Sequence, residues 1–168
     1  MMARMIHMSK CIILTGIPGS GKTTYALGIQ SALEKVAIIS SDDVRKSVTG
    51  SMVDGTKETL VWQEYVKQVI KASENHDIVI ADSTALTNEL RLKRLADFRP
   101  YFEKVELVVL DIPFAVCWER NIARERKVPL NPMAGMFKLF EEPSEEVHQN
   151  FDSVIIVKEE EKDTWKRS

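Results

Sequence analysis

One stretch decides the fold of this chain: Lys10-Cys11-Ile12-Ile13-Leu14-Thr15-Gly16-Ile17-Pro18-Gly19-Ser20-Gly21-Lys22-Thr23-Thr24. It begins as an apolar run, continues as G-x-x-x-x-G-K-T and passes into a helical pattern from Thr24. Glycines permit a tight turn, so the backbone N–H groups of this turn can approach an anion closely. The helix that follows adds unpaired N–H groups and the positive end of its dipole. The stretch therefore predicts a strand, an anion-binding loop and a helix in direct succession.

This stretch carries the P-loop signature in the strand–helix setting that the motif requires. We expect Lys22 to reach the outer phosphates of ATP and Thr23 to offer its hydroxyl to Mg²⁺, the two predicted cofactors. A mere turn is the alternative, but it does not explain the coincidence of the glycines, the Lys-Thr pair and the flanking elements. The residues predicted to hold the nucleotide are Gly16, Ile17, Pro18, Gly19, Ser20, Gly21, Lys22, Thr23 and Thr24.

Length and composition are those of one globular domain. The chain has 168 residues, with 44% hydrophobic and 29% charged residues, and we expect a single domain over 1–168. A net charge of −2 argues against a protein that coats nucleic acid through bulk positive charge, although a local basic patch stays possible. Cys11 and Cys117 are too few for a disulfide framework or a metal cluster, which favours a reducing, cytoplasmic compartment.

The ends of the chain carry weaker signals. The first nine residues resemble no signal peptide, and no apolar window is long enough to span a membrane. We expect residues 1–8 to be dispensable or disordered and the charged tail Lys158–Ser168 to be frayed. The oligomeric state cannot be read from the sequence.

Strand patterns alternate with helical patterns along the chain. The predicted strands are Cys11–Thr15, Val36–Ser40, Asp77–Asp82, Val105–Leu110 and Ser153–Val157. The predicted helices are Lys22–Leu33, a short helix capped by Asp42 or Asp43 and running through Ser47, then Lys57–Ser73, Asn88–Phe98, Phe114–Arg126 and Ala134–Phe140. Because the strands are continuous apolar runs, both faces of the sheet are expected to be covered. The predicted fold is a three-layer α/β/α P-loop NTPase of the nucleotide-kinase kind, with a five-stranded parallel sheet.

Asp82 ends the third predicted strand, where ligands of parallel sheets bind. A carboxylate there can orient Thr23 and the Mg²⁺ shell, while a helix-capping or turn aspartate is the alternative. Ser83 follows, where motor or remodelling ATPases usually place a second carboxylate that activates water. Its absence favours transfer to another acceptor over hydrolysis, and Asp82 with Ser83 is assigned to substrate binding.

Ser41-Asp42-Asp43-Val44-Arg45 ends the second predicted strand. A carboxylate here could take a proton from an acceptor hydroxyl, and Arg45 could grip a substrate phosphate. Equally, the aspartates could cap the helix, with Arg45 as a solvated charge. The residues alone leave both readings open.

Two basic segments follow. Arg120, Arg124, Arg126 and Lys127 lie in what we term the lid segment, about residues 114–132, and an arginine on a mobile lid is a recurring way to neutralise a transferring phosphoryl group. In the predicted helix, Ala115, Trp118 and Ile122 share one face, and Arg120, Arg124 and Lys127 share the other. A solvated amphipathic surface helix is the alternative. The run Arg91–Arg99 predicts a solvated helix face, with a nucleic-acid contact as the alternative reading.

Four short blocks resemble a known group. Ile12–Thr24, Ser41–Ser47, Ile78–Thr84 and Cys117–Arg124 are similar to segments of the polynucleotide 5′-hydroxyl kinase domain of bacteriophages and its P-loop kinase relatives, including antibiotic phosphotransferases and zeta-type toxins. The resemblance implies Asp42 as general base and Arg45 as a contact to acceptor phosphate. It also implies Lys22 and Arg124 on the transferring phosphoryl group, with Arg120 assisting on the donor side.

The sequence thus predicts an ATP- and Mg²⁺-dependent kinase with catalytic residues Lys22, Asp42 and Arg124. The expected acceptor is a hydroxyl, foremost a polynucleotide 5′-OH. A kinase for a small metabolite, nucleoside or antibiotic is the first alternative, and a nucleotide-binding regulator without transfer activity is the second. An ATPase subunit of an assembly is a weaker option because of Ser83.

Overall fold

The computed structural model describes residues 8–159. The expectations for residues 1–7 and for the tail beyond Glu159 lie outside the described residues. Strands within this range are β1 Lys10–Thr15, β2 Val36–Ser40, β3 Ile78–Asp82, β4 Lys104–Asp111 and β5 Ser153–Lys158. The helices are α1 Lys22–Ala32, α2 Ser41–Thr49, α3 Glu58–Ala72, α4 Asn88–Phe98, α5 Phe114–Ile122, α6 Leu130–Leu139 and α7 Glu145–Asn150, with a 3₁₀ turn at Arg99–Tyr101.

The strands form one parallel sheet in the order β2-β3-β1-β4-β5. The register pairs Asp82 with Leu14 on one side and with Ser40 on the other. The carboxyl ends of β1, β2 and β3 therefore meet at one edge, where ligands of such sheets bind. The predicted fold class, a five-stranded parallel sheet of the P-loop kinase kind between helices, is confirmed.

Consecutive side chains of β1 enter two different cores. Cys11 and Ile13 belong to the core under α3 and α4, whereas Ile12 and Leu14 belong to the core under α1, α5 and α6. This alternation follows from the pleat of a strand. Burying one such side chain stabilises the fold by about 1.5–3 kcal/mol, so both faces select apolar residues. The continuous apolar pattern of the strands is the result, and it holds the ends of β1–β3 in fixed positions.

The helix after β2 does not begin as predicted. Its N-cap residue is Ser40, and neither Asp42 nor Asp43 caps it, because both lie inside its first turn. There the carboxylates still interact favourably with the helix dipole. The helix also runs to Thr49, beyond the predicted Ser47, and ends at Gly50, whose φ of +86° suits glycine.

The lid segment also differs from its prediction. The first helix ends at Ile122 rather than Arg126, because the buried Asn121 side chain accepts the N–H of Val128 (3.0 Å) and donates to its carbonyl (2.8 Å). These two bonds fold residues 123–128 back as a loop, so Arg124 is not on α5. The following helix begins already at Leu130, within the predicted break, because a proline is tolerated in a first turn.

The buried positions of α5 are Cys117 and Asn121, whereas Ala115 and Ile122 are exposed. The face that the apolar residues share is therefore packed only in part, through Trp118, which contacts the core. Cys117, which precedes Trp118 in the sequence, belongs to the core under α1, α5 and α6.

The basic run Arg91–Arg99 is a solvated face only in part, because Lys93 is exposed whereas two of its arginines are buried. Arg91 is 0% exposed and Arg94 is 6% exposed. The Arg91 guanidinium lies over the Phe140 ring, and that of Arg94 lies 4.5 Å from the centre of the Trp62 ring. Their long stems and flat charged ends pack on aromatic partners.

Among the helices described for residues 8–159, none combines the length and the apolar composition of a membrane span.

Candidate active site

The loop between β1 and α1 has the backbone shape that an anion site needs. Gly19 (φ +82°) and Gly21 (φ +100°) are left-handed, and Gly21 is the N-cap residue of α1. A Cβ on Gly16 would lie 2.5 Å from the Ser20 hydroxyl oxygen. Other residue types would clash or be strained at these positions. The loop can therefore present its N–H groups to phosphate, as its sequence predicts.

Lys22 folds back over this loop. Its Nζ donates a 2.6 Å hydrogen bond to the Gly16 carbonyl. Burial lowers the pKa of Lys22, whereas the charges of Asp82 and Asp42 raise it and that of Arg124 lowers it. Lys22 thus lies within electrostatic reach of Asp82, Asp42 and Arg124, although these residues come from separate parts of the chain.

Asp82 is the last residue of β3 and is partly buried. Burial raises its pKa, the charge of Lys22 opposes this rise, and Asp42 and Asp43 add to it. The Ser83 N–H donates to the carbonyl of Leu14 (3.2 Å), and the Ser83 side chain is buried. Thr23 lies exposed in the first turn of α1. Asp82 thus lies within electrostatic reach of the loop lysine, and Thr23 follows that lysine in the first turn of α1.

Both oxygens of the Asp42 carboxylate face arginines. Its Oδ1 accepts from Arg45 Nη1 at 2.7 Å, and its Oδ2 lies 3.4 Å from Arg126 Nη2. Arg126 belongs to the lid segment and also contacts the sulfur of Met52. The lid segment therefore closes over the acceptor side of the candidate site.

Arg45 has a further partner that no sequence pattern indicated, Glu58. Its Nε donates to Glu58 Oε1 (2.6 Å) and its Nη2 to Glu58 Oε2 (3.1 Å). This two-pronged pair lowers the pKa of Glu58 and raises that of Arg45, chiefly through the hydrogen bonds themselves. The sequence offered only an acidic residue at the start of a helix, thirteen positions from Arg45.

Two arginines of the lid segment face the donor side. Arg120 Nη1 approaches the Gly19 carbonyl (3.4 Å), and its Nη2 donates to Glu159 (3.0 Å). Arg124 Nη2 donates to the Asn121 side chain (3.3 Å), while its buried Nε has no partner among the described residues. Glu159, which is 9% exposed, was also missed, because it lies in the charged C-terminal stretch.

The donor side fits the phosphates of ATP. The Arg124 Nε and the Ser20 hydroxyl are buried, and neither has a partner in the described part of the chain. Buried polar groups normally form hydrogen bonds, so both groups are suited to form hydrogen bonds with a ligand. Ser20 belongs to the loop over which Lys22 folds, and Arg124 of the lid segment lies within electrostatic reach of Lys22, where the sequence predicts the outer phosphates.

Comparison with known proteins places the chain in a family. The P-loop family described as "AAA domain" matches residues 11–143. The chain is 28% identical over 137 residues to a putative bifunctional polynucleotide kinase/RNA ligase of Autographa californica nuclear polyhedrosis virus. The aligned region covers 72% of this chain and 19% of that protein. It is 26% identical over 145 residues to the L-seryl-tRNA(Sec) kinase of Methanococcus maripaludis, which covers 79% of this chain and 52% of that protein.

A solved structure is similar in fold. The structure of the Pnkp1/Rnl/Hen1 RNA repair complex matches with a TM-score of 0.69 and 19% identity, over 89% of this chain and 48% of that chain. The chain spans about half or less of the length of each of these three proteins. The prediction of a P-loop kinase domain, similar to polynucleotide kinases, is confirmed by the family and by these relatives.

Proposed function

The chain belongs to the P-loop family described as AAA domain, and we propose that it is a kinase that transfers the γ-phosphoryl group of ATP to a hydroxyl acceptor, foremost a polynucleotide 5′-OH. One observation carries the proposal. Asp42 lies in the first turn of α2, directly after β2, and the register joins the end of β2 through Asp82 to the end of β1, so a candidate base lies at the same edge of the sheet as the phosphate-binding loop. A site that only bound nucleotide would not need this carboxylate.

On the donor side, Lys22 and the loop N–H groups would bind the phosphates. Thr23 and Asp82 would hold Mg²⁺, an ion usually bound through one or two protein oxygens together with substrate phosphate and water. When bound, Mg²⁺ neutralises charge on the phosphates. Arg120 and Arg124 would bind the donor from the lid segment, with Arg124 beside the group in transfer.

On the acceptor side, Asp42 would take the proton of the attacking hydroxyl. The acceptor oxygen forms a bond to the γ-phosphorus as the bond from that phosphorus to the β–γ bridging oxygen breaks, which leaves ADP. A positioned base contributes roughly a hundred- to ten-thousand-fold to the rate of such a step. Ser83, buried next to Asp82, is assigned to the acceptor side of the same cleft.

The names of the relatives support RNA as acceptor, since one is a polynucleotide kinase and the other a seryl-tRNA kinase. A small-molecule kinase is the second candidate. It is favoured by Arg45, whose guanidinium is held by Glu58 rather than turned outward to a nucleic-acid backbone. A net charge of −2 points the same way.

The test is transfer of labelled γ-phosphate to 5′-hydroxyl RNA and DNA oligonucleotides, beside a panel of nucleosides, sugars and aminoglycosides. We expect transfer to an oligonucleotide, and D42N should lower its rate by about a hundredfold or more. D43N is the matched control, because Asp43 is the exposed neighbour on the same helical turn. Transfer only to a small acceptor would establish the second candidate. Nucleotide binding without turnover on any acceptor would instead point to a regulatory protein.

A further inference from the structure

The side chain of Asn121 closes a loop of the lid segment, residues 123–128, which we term the lid loop. Asn121 lies in the last turn of α5 and is 0% exposed. Its Nδ2 donates to the Val128 carbonyl at 2.8 Å, and its Oδ1 accepts the Val128 N–H at 3.0 Å. An amide that bonds both backbone groups of one residue fixes the position and the direction of the chain there. One buried side chain therefore joins the two ends of the lid loop.

The same side chain also holds Arg124. The Oδ1 atom of Asn121 accepts from Arg124 Nη2 at 3.3 Å, and the two lone pairs of an amide oxygen allow it to serve Val128 as well. Among the described residues the Arg124 side chain makes no other hydrogen bond, and its Nε is buried. Of the five N–H groups of this guanidinium, one is thus anchored and four are left for a ligand.

The lid loop has little else to fix its shape. Between Ile122 and Leu130 the chain forms neither helix nor strand. Yet Arg124 acts on the charge of Lys22, and Arg126 Nη2 lies 3.4 Å from Asp42 Oδ2. A segment with few backbone bonds of its own opens at a low cost in free energy. The bonds of Asn121 therefore decide where these two arginines lie.

We propose that Asn121 is a positioning residue for phosphoryl transfer, which acts by holding Arg124 in place for the γ-phosphate. This inference rests on the proposed function, because that function assigns Arg124 to the group in transfer. A guanidinium that is already aimed needs no reorganisation as charge develops on that group, and such preorganisation lowers the barrier. ADP has no γ-phosphate, so its binding does not depend on the aim of Arg124. An asparagine that only stabilised the end of α5 would instead affect ADP and ATP alike.

The experiment is a double-mutant cycle on kcat for transfer of γ-phosphate to an oligonucleotide, with N121A, R124Q and the double variant. N121A should lower kcat about tenfold, because it removes all three bonds and lets Arg124 shift. In the R124Q background the same change should cost less than about twofold, because the group that Asn121 positions is absent. E125Q is the matched control, an exposed carboxylate in the lid loop, and it should change kcat by less than about twofold.

Calorimetry with Mg²⁺ adds a readout that does not depend on turnover. The two ligands are ADP and a non-hydrolysable ATP analogue with an imido bridge between its β- and γ-phosphates. N121A should weaken binding of the analogue about threefold or more and leave the affinity for ADP unchanged, since one charged contact to the γ-phosphate is misplaced. E125Q should leave both affinities unchanged.

An equal loss of kcat on N121A in both backgrounds would overturn the proposal, and so would an unchanged kcat. If N121A does not fold, N121D takes its place. The carboxylate of N121D still accepts from Arg124 and from the Val128 N–H but cannot donate to the Val128 carbonyl. It should show the same dependence on Arg124, with a loss of about threefold in kcat for this one bond.

If the wild type transfers phosphate to no acceptor, the proposed function fails on its own, and the binding measurements decide about Asn121. Binding of the analogue that is weakened by the Asn121 variant, with ADP unaffected, supports the assignment. Equal effects on the two ligands, no effect on either, or no binding of the analogue by the wild type refutes it.

Discussion

The carbonyl oxygen of Cys117 occupies the space that a Cβ on Gly19 would need. Gly19 lies in the phosphate-binding loop and Cys117 on α5, so the lid segment packs directly against the loop that it covers. Cys117 is fully buried, and burial raises the pKa of its thiol to about 11. The thiol is therefore neutral at physiological pH and acts as a small packing group. Loop and lid form one packed unit at this point.

Replacing Gly19 should disturb both parts together. In G19A the added methyl group meets the Cys117 carbonyl, and alanine must adopt a φ of +82°. We expect a loss of about 1–3 kcal/mol in the free energy of unfolding, as is usual for a residue held in a disfavoured backbone region. Affinity for ADP should fall as α5 is pushed outward. Chemical denaturation and calorimetry measure the two effects.

The control for this variant is G28A. Gly28 lies inside α1, and nothing stands within 4 Å of a Cβ placed there. Alanine should therefore stabilise the protein by about 0.5–1 kcal/mol through its helix propensity. If G19A bound ADP as tightly as G28A does, the packing of lid on loop would not matter for nucleotide binding.

A second prediction concerns Glu159, which accepts a hydrogen bond from Arg120 at 3.0 Å. The other end of the Arg120 guanidinium approaches the Gly19 carbonyl, so Glu159 holds it at the mouth of the loop. E159Q keeps the shape and removes the charge. We expect it to weaken ATP binding by about three- to tenfold, because the ion pair becomes a weaker bond from the guanidinium to an uncharged amide oxygen. E119Q, an exposed carboxylate on α5, should change the affinity by less than twofold. Equal dissociation constants for the two variants would speak against this role.

The parts of the fold that the sequence predicted are those with a local cause. Strands β1, β3 and β4 follow from burial on both faces, which each apolar run records by itself. The phosphate-binding loop follows from glycines whose conformations are required within the loop, such as Gly21 at the start of α1. Asp82 could be placed because it is the last residue of a strand whose neighbours share its register.

The parts that were missed depend on partners distant in the chain. Arg91 and Arg94 were expected in solvent because the sequence does not reveal that Phe140 and Trp62 cover them. Glu58 and Glu159 have no motif of their own and acquire a role only through Arg45 and Arg120. The lid helix was extended too far because Asn121 looks like any polar residue until its bonds to Val128 are seen.

A third prediction follows from the burial of Arg91. Its Nε donates to the Ala85 carbonyl (3.0 Å) and its Nη1 to the Glu141 carbonyl (2.7 Å). Burial lowers the pKa of Arg91 to about 10, so it stays charged at neutral pH. R91M keeps much of the volume but leaves both carbonyls without this donor, which we expect to cost about 2–4 kcal/mol of unfolding free energy.

Arg91 also fixes the chain after Asp82. Ala85 has a φ of +34°, which is unusual for alanine, and Arg91 holds its carbonyl. R91M should therefore lower kcat for phosphoryl transfer even at temperatures where the variant is folded. K93M tests the opposite case, since Lys93 is exposed on the same helix, and it should alter stability by less than about 0.5 kcal/mol. A similar stability of R91M and wild type would contradict the role assigned to Arg91.

The last prediction is a pH dependence at Asp152, which joins the start of β5 to β4. Its carboxylate accepts the N–H of Val105 (2.7 Å) and a bond from Arg99 (2.5 Å). The bond from Val105 is the main cause that lowers the pKa of Asp152, with Arg99 contributing and slight burial opposing. The folded pKa lies below that of the unfolded chain, about 3.9. The stabilisation is therefore complete above that value and is lost as the pH falls through the lowered folded value.

D152N should be less stable than the wild type by about 0.5–1 kcal/mol at pH 7, a modest value because 36% of the side chain is exposed. Urea unfolding at pH 7, 5, 4 and 3 measures the difference, which should stay constant down to about pH 5 and shrink below pH 4. E103Q, an exposed carboxylate two residues before Val105, is the control for general charge effects. A difference between D152N and wild type that persisted undiminished at pH 3 would show that packing, and not the ionised carboxylate, stabilises this junction of the two strands.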